Sequence, residues 1–203
     1  MSFWRALAIF SGLSVIMPLI TDICLPAIPD IARYYGVETG RIQQTISFLF
    51  FGAAFGQIVY GPLADRFGRK PVIVITMLMF TVISFFTVYA ATPNSHSFAR
   101  FLQGATGAGG MIIVRAIIRD LYDGAFSTKM FAYTMVGSSL MPILAPIVGG
   151  HVTELLGWKP NFFIIAGFGL VLTLSLVFWL KETGKRDLKA LEAAEIVKSF
   201  ILL

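Results

Sequence analysis

The chain has 203 residues, of which 57% are hydrophobic and only 13% are charged, and its mean hydropathy is +0.80. Because an average soluble domain carries roughly 25% charged residues, this composition excludes an ordinary soluble protein and indicates a membrane protein. The formal net charge is +5, but the cations cluster at the ends of apolar runs, which favours a role in membrane orientation over nucleic-acid binding.

Six apolar runs predict six membrane-spanning helices. Each run supplies the roughly 20 residues that a helix needs to cross the hydrocarbon core, although Asp22 interrupts the first run and two arginines interrupt the fourth. The runs are continuous rather than alternating, which argues against barrel strands. We therefore expect an all-α membrane protein with one transmembrane domain over residues 1–181. Its helices are predicted near residues 5–27, 43–63, 71–91, 96–118, 130–151 and 161–180.

The C-terminal stretch has a different character. Residues 182–203 are first charged and then amphipathic, with Leu188, Leu191, Ile196 and Phe200 at roughly helical spacing. This pattern predicts an amphipathic linker on the membrane surface. The sequence stops just as it becomes apolar again, so we expect a truncation before a second half.

The distribution of cations predicts the orientation. With the N-terminus in the cytoplasm, eleven Lys and Arg residues lie on the cytoplasmic side and three lie on the far side. This asymmetry satisfies the positive-inside rule. Both termini and the linker are therefore expected in the cytoplasm.

Two loop segments indicate an internal repeat. "GPLADRFGRKP" at 61–71 aligns with "GHVTELLGWKP" at 150–160 at a constant offset of 89 residues, with identical residues at four positions and Asp against Glu at a fifth. The alignment relates helices 1–3 to helices 4–6, and because three is odd, the two units must be inverted. Inverted three-helix repeats are a transporter architecture with binding sites near mid-membrane.

Charged residues inside the spans are candidates for function, because they are costly in a membrane unless they face the bundle interior or a wet cavity. Asp22 and Arg100 are expected at similar depth in the outer part of the membrane, where Asp22 could bind and release a proton while Arg100 lowers its pKa. Gln103, one turn from Arg100, is a further polar candidate. The alternatives are a fixed structural pair or an Asp22 that stays hydrated at the interface. Arg115 lies deeper from the cytoplasmic side and either lines a cavity or snorkels to the interface.

Other motifs favour structural readings. The glycines of the fourth run follow no predicted strand, so they indicate close helix packing rather than a nucleotide loop. His96 and His151 lack partners in the sequence, and no metal site or cofactor is expected. No nucleophile, base or metal cluster is visible, so the chain is not expected to be an enzyme.

The segment "GPLADRFGRK" resembles the loop 2–3 signature of the major facilitator superfamily. "TDICLPAIP" at 21–29, "RFLQGATGAG" at 100–109 and "RAIIRDLY" at 115–122 are similar to helix 1 and helix 4 signatures of its drug:proton antiporter branch, in particular the bicyclomycin-resistance (Bcr/CflA) type. "APIVGG" at 145–150 matches the helix 5 antiporter motif in part, with Ala145 in place of a glycine. The resemblance extends to about Leu180 and covers half of the family's usual twelve helices.

This resemblance implies roles for three groups of residues. A proton or substrate site would use Asp22, Arg100, Gln103 and Arg115. The helix 5 motif would contribute Pro142, Pro146, Gly149 and Gly150, with the prolines expected to bend the helix. A cytoplasmic gate that closes against the second half would contain Gly61, Asp65, Arg66, Gly68, Arg69 and Asp120, with Arg69 able to pair with Asp120; the alternative is that these cations only set the topology.

The function implied by the resemblance is proton-coupled efflux of small hydrophobic or amphipathic drugs by rocker-switch antiport in a bacterial inner membrane. The expected partners are the lipid bilayer, a small-molecule substrate, protons, and a second six-helix half or a homodimer; no nucleic acid is expected. The alternatives are major-facilitator uptake of a sugar or metabolite, and a non-transporting fragment or scaffold.

Overall fold

The computed structural model describes residues 2–184, so the predicted linker lies outside the described residues from position 185 onward. The described chain is almost entirely helical. Short 3₁₀ turns at Leu25–Ala27 and Thr87–Tyr89 punctuate it. The α-helices are α1 (Phe3–Asp22), α2 (Ile28–Tyr35), α3 (Thr39–Phe67), α4 (Arg69–Phe86), α5 (Pro93–Leu121), α6 (Gly124–Leu156) and α7 (Lys159–Trp179).

Six stretches of the described chain are long and apolar enough to cross a membrane, as predicted, with α1 and α2 counted as one span. The helices extend past the predicted bounds: α6 covers Gly124–Leu156 where 130–151 was predicted, and α3 covers Thr39–Phe67 where 43–63 was predicted. Hydropathy marks only the part of a helix that lies in hydrocarbon. The backbone hydrogen bonds of a helix continue beyond that zone, where polar side chains are tolerated.

Helix packing follows a two-fold pattern. α1 packs on α6 as α5 packs on α3, and the third spans of the two units, α4 and α7, pack on each other. Each unit crosses the membrane three times, so the second unit starts on the opposite side from the first. The observed packing is that of two inverted three-helix repeats.

Two glycines mark the equivalent corners of the repeats. Gly68 has φ +102° and Gly157 has φ +83°, in the region that favours glycine. Each ends a helix by donating its N–H to the carbonyl four residues earlier, Gly68 to Ala64 at 3.0 Å and Gly157 to Thr153 at 2.9 Å. The sequence alignment therefore extends to backbone conformation. We name the two ends of the bundle after these corners: the Arg69 end holds the α3–α4 corner, and the Trp158 end holds the α6–α7 corner.

The crossing of α3 and α5 places α5 in the centre of the bundle. A Cβ on Gly52 would lie 1.9 Å from the Phe101 carbonyl oxygen, and one on Gly104 would lie 1.9 Å from the Leu49 carbonyl oxygen. Small residues allow this backbone contact. As a result, 67% of an apolar 18-residue stretch of α5 is buried, against 11% for α6, and the side chains of Arg100, Gln103 and Thr106 are held inside the protein.

Candidate functional site

Arg100 is the most buried charged side chain among the described residues, with an exposed fraction of 2%. Its guanidinium donates to the Gln103 side-chain oxygen at 2.6 Å and to the backbone oxygen of Ile20 at 3.0 Å. Ile20 lies in the last turn of α1, where helix carbonyls lose their intrahelical partners. Arg100 therefore links α5 to the end of α1 through a backbone carbonyl, and this contact does not depend on which side chain α1 carries at position 20.

A polar chain continues from Arg100 to two further helices. The Gln103 amide nitrogen donates to the Ser84 hydroxyl of α4 at 2.9 Å. The guanidinium carbon also lies 5.7 Å from the centre of the Phe162 ring of α7, a favourable cation–π distance. Gln103 and Ser84 are themselves fully buried. The network joins α1, α4, α5 and α7 and holds a cation inside the membrane.

Asp22 does not pair with Arg100. Within residues 2–184, ion pairs of up to 4.0 Å join Asp30 to Arg33, Arg69 to Asp65, and Arg69 to Asp120. The expected pair of Asp22 with Arg100 is not among them. The reason is helical geometry: Asp22 lies two positions, about 200°, around α1 from Ile20. Asp22 is half-buried, whereas Ile20 faces the core.

A cavity of about 190 Å³ lies between α1, α5 and α6. Its walls are mainly apolar, which is usual for a small-molecule site. Among the described residues, Arg115 is the one charged residue of its lining. The lining residues are Ser14, Pro18, Met111, Val114, Arg115, Ile118, Phe131, Thr134, Met135 and Ser138.

The structure separates the predicted proton and substrate residues into two groups. Arg100 and Gln103 belong to the network near the Trp158 end, and Arg115 belongs to the cavity. Fifteen residues separate the two arginines, or about 22 Å along α5 at 1.5 Å per residue. The cavity and the network meet on α1, because Pro18 lines the cavity one turn before the end of the helix that Arg100 holds.

The predicted helix 5 motif lies at a close helix crossing. α6 continues without a break through Pro142 and Pro146. A Cβ on Gly149 would lie 2.0 Å from the Ile23 carbonyl oxygen, and one on Gly150 would lie 3.8 Å from Pro26. The glycines therefore allow the end of α1 to rest directly on α6.

The predicted pair of Arg69 and Asp120 is present at the Arg69 end. Arg69 Nε lies 3.2 Å from Asp120 Oδ2, and one terminal nitrogen of the same guanidinium lies 2.5 Å from Asp65 Oδ1. This arrangement links the C-terminal end of α3, the start of α4 and the end of α5. One arginine thus bridges carboxylates from two helices.

Glu182 completes this cluster and was not among the residues predicted from the sequence. One of its carboxylate oxygens accepts the backbone N–H of Arg69 at 2.8 Å, and the other accepts that of Lys70 at 3.3 Å. A carboxylate is favourable at a helix N-terminus because of the unpaired N–H groups and the helix dipole. A lone Glu after the sixth span does not reveal from sequence alone which of several helix starts it caps.

Other gate residues take different positions. The face of α3 at Gly61 is open, since a Cβ there would meet nothing within 4 Å. The Arg66 guanidinium lies 5.7 Å from the Phe67 ring centre, and Gly68 provides the corner described above. A Cβ on Gly68 would lie 2.5 Å from Glu182 Oε2.

The Trp158 end is closed by an aromatic cluster, which we define as Tyr34, Tyr35, His96, Trp158 and Phe162. Trp158 is 5% exposed and meets His96 and Phe162 edge-on at centroid distances of 6.0 and 5.8 Å. His96 is therefore a packed core residue. Within residues 2–184, no group of three or more His, Cys, Asp or Glu side chains could hold a metal ion.

The profile of the Major Facilitator Superfamily matches residues 9–202. The chain belongs to the major facilitator superfamily. This is a family of transporters, and the six apolar helices found within residues 2–184 agree with the expected membrane protein.

Named relatives agree with the branch that the motifs suggested. The chain is 30% identical over 192 residues to the bicyclomycin resistance protein homolog of Haemophilus influenzae. This alignment covers 94% of this chain and 48% of the relative. It is also 30% identical over 166 residues to multidrug resistance protein D of Escherichia coli, in an alignment that covers 81% of this chain and 42% of that relative. The chain spans about half the length of these curated relatives.

A solved structure agrees in fold. The D-xylose–proton symporter superposes with a TM-score of 0.79 over 100% of this chain and 53% of its own length, at 12% sequence identity. At this identity the likeness shows the fold alone. The six-helix domain described here is one half of a major-facilitator fold.

Proposed function

We propose that the chain is the N-terminal half of a drug:proton antiporter that exports small hydrophobic or amphipathic compounds across a bacterial inner membrane. A second six-helix half, or a second copy of the chain, would complete the site. The drug-resistance names of the relatives favour export over the uptake of a sugar. The Arg69 end would face the cytoplasm, because most cations lie there.

The observation that carries this proposal is the position of α1. Ser14 and Pro18 of α1 line the apolar cavity, and Ile20 of the same helix accepts a hydrogen bond from Arg100. A compound that displaces α1 in the cavity would therefore change the environment of Asp22, one turn beyond Pro18. We assign proton binding to Asp22, because a half-buried carboxylate without an ion pair among the described residues can gain and lose a proton as its exposure changes.

The Arg69 cluster supports a gate. Arg69, Asp65, Asp120 and Glu182 lie at the end of the bundle, and the neighbouring face of α3 at Gly61 is open for another helix. A helix of the second half would close on this face when the transporter opens outward. Opening of the cavity to the cytoplasm would break that contact.

The test is drug accumulation in efflux-deficient bacteria. Cells would express the chain alone, the chain with the coding sequence that follows it in its genome, and that longer form with Asp22→Asn; the test compounds are bicyclomycin and nalidixic acid, an apolar organic acid. We expect lower accumulation with the longer form and restored accumulation with Asp22→Asn. Unchanged accumulation in every case, despite membrane expression verified by immunoblot, would contradict the proposal for these compounds.

A further inference from the structure

We propose that the cavity between α1, α5 and α6 selects compounds that carry an anionic group on an apolar body, and that Arg115 binds this anionic group. The inference deepens the proposed function and rests on it for the role of the cavity as the substrate site. Among the hydrophobic or amphipathic compounds of the proposed function, it gives organic acids a preference over neutral or cationic compounds of the same shape.

The first argument is the composition of the cavity wall. Six of the ten lining residues within the described range 2–184 are apolar, and Arg115 is the only one of the ten with a charge. No Asp or Glu side chain from the part of the chain that the structure describes lines the cavity. A cationic compound would therefore meet Arg115 without a compensating carboxylate, at a cost from like-charge repulsion that rises as the site closes and water leaves.

The second argument is the count of available donors. The three hydroxyls of the lining already donate to backbone carbonyls: Ser14 to Phe10 at 2.9 Å, Thr134 to Phe131 at 2.8 Å and Ser138 to Ser14 at 3.1 Å. Their remaining capacity is as acceptors. Of the lining residues that the structure describes, Arg115 presents the one strong donor group to a ligand, its guanidinium.

The third argument is that Arg115 is not already neutralised. Its side chain is exposed and takes part in no hydrogen bond or ion pair with the described residues 2–184. Arg100 differs in this respect, since its donors are used by Ile20 and Gln103. A guanidinium in an apolar-walled cavity matches a carboxylate through two parallel hydrogen bonds.

The geometry of α5 aims Arg115 at the apolar part of the cavity. Met111, Val114, Arg115 and Ile118 follow the spacing i, i+3, i+4, i+7, which places them on one face of the helix. Arg119 lies one turn further toward the Arg69 end and does not line the cavity. An acid held by Arg115 would rest its apolar body against Met111 and Val114.

The experiment measures binding to the longer form of the accumulation test, purified in phosphatidylcholine nanodiscs, so that the completed site is present and no anionic lipid competes. The probes are 2-naphthoate and 2-naphthamide, which have nearly the same shape but differ in charge, and binding is followed by equilibrium dialysis with radiolabelled probe. We expect naphthoate to bind at least tenfold more tightly than naphthamide, because a hydrogen bond to a charged group is worth about 1.5–3 kcal/mol. Arg115→Gln should remove this preference and leave naphthamide binding within about twofold, and Arg115→Lys should retain part of it.

Arg119→Gln is the matched control, since it removes the same charge from the same helix outside the cavity, and it should leave the preference intact. The proposal is overturned if the two probes bind the unsubstituted chain equally, if neither binds, or if Arg115→Gln leaves the preference unchanged, as a snorkelling arginine would. A variant that does not elute as a folded species on size exclusion is replaced by Arg115→Met. Binding is measured without a proton gradient and without efflux. The proposal on drug export can therefore fail while this one stands, and this one can fail while drug export is confirmed.

Discussion

The two corners of the repeat share a backbone and differ in the forces that hold them. At the Arg69 end, the loop after α3 is held by an arginine between two carboxylates and by Glu182 at the start of α4. At the Trp158 end, the equivalent loop is held by packed aromatic rings around Trp158. An exposed ion pair contributes only about 0.2–1 kcal/mol, whereas a buried tryptophan contributes several kcal/mol. The comparison teaches that the ionic corner is the weaker of the two, so under the proposed function it is the corner that a transport cycle would open at small cost.

The largest expected effect is at the aromatic corner. Trp158→Ala should destabilise the protein by about 3–5 kcal/mol, because it leaves a cavity among packed rings. We expect the midpoint of thermal unfolding, followed by far-ultraviolet circular dichroism, to fall by about 10 °C. Trp4→Ala is the control, since Trp4 is 75% exposed. Equal effects of the two substitutions would remove the distinction between the corners.

The corner glycines sharpen the comparison. Gly68→Ala and Gly157→Ala should both destabilise the protein by about 1–3 kcal/mol, because both positions need positive φ. Gly68→Ala should cost about 1 kcal/mol more, because its Cβ would displace Glu182 from the start of α4. In a Glu182→Ala background this excess should disappear; an excess that persists in chemical denaturation would mean that Glu182 does not cap α4.

Arg69→Gln should have a small effect on stability and a large effect on transport. We expect a loss of about 1 kcal/mol or less, which vanishes in about 1 M salt because the screening length there is about 3 Å. Drug export by the complete transporter should be lost. Charge reversal is the sharper test: Asp120→Arg should abolish export, and the further change Arg69→Glu should restore part of it. Full export by Arg69→Gln would contradict a role for this ion pair in the gate.

The smallest effect is expected at the helix start. Glu182→Gln keeps an oxygen acceptor and removes the charge, so it should cost about 0.5 kcal/mol through the helix dipole. Amide exchange at Arg69 and Lys70, followed by mass spectrometry, should be fastest in Glu182→Ala and intermediate in Glu182→Gln. Unchanged exchange in both variants would show that the Glu182 carboxylate does not accept the N–H groups of Arg69 and Lys70.

Local sequence patterns predicted much of this fold. Apolar runs identified all six spans, although charged residues interrupt the first and fourth runs, because hydropathy depends on neighbouring residues only. The alignment of residues 61–71 with 150–160 identified the two repeat corners. The ends of the helices were less predictable, since α3 and α6 continue beyond their apolar stretch. Hydropathy does not report where a helix stops outside hydrocarbon.

The site was predicted by residue type but not by partner. Arg100 and Gln103 are in one network, yet Arg100 binds the backbone of Ile20 rather than Asp22. Side-chain patterns cannot reveal a backbone acceptor, because every residue carries a carbonyl and only the break at the end of α1 makes this one available. The roles of Ser84 and Glu182 likewise depend on contacts between distant segments.

The measurement that tests the central claim most directly is proton release on drug binding. The purified complete transporter, in weakly buffered detergent solution with a pH-sensitive dye, would receive each compound whose accumulation it lowers in cells. The account predicts that binding releases protons from the unsubstituted protein and from the control Asp30→Asn, which lies outside the gate and the cavity, and none from Asp22→Asn. Release that is absent from the unsubstituted protein, or equal in Asp22→Asn, would contradict proton-coupled antiport through Asp22.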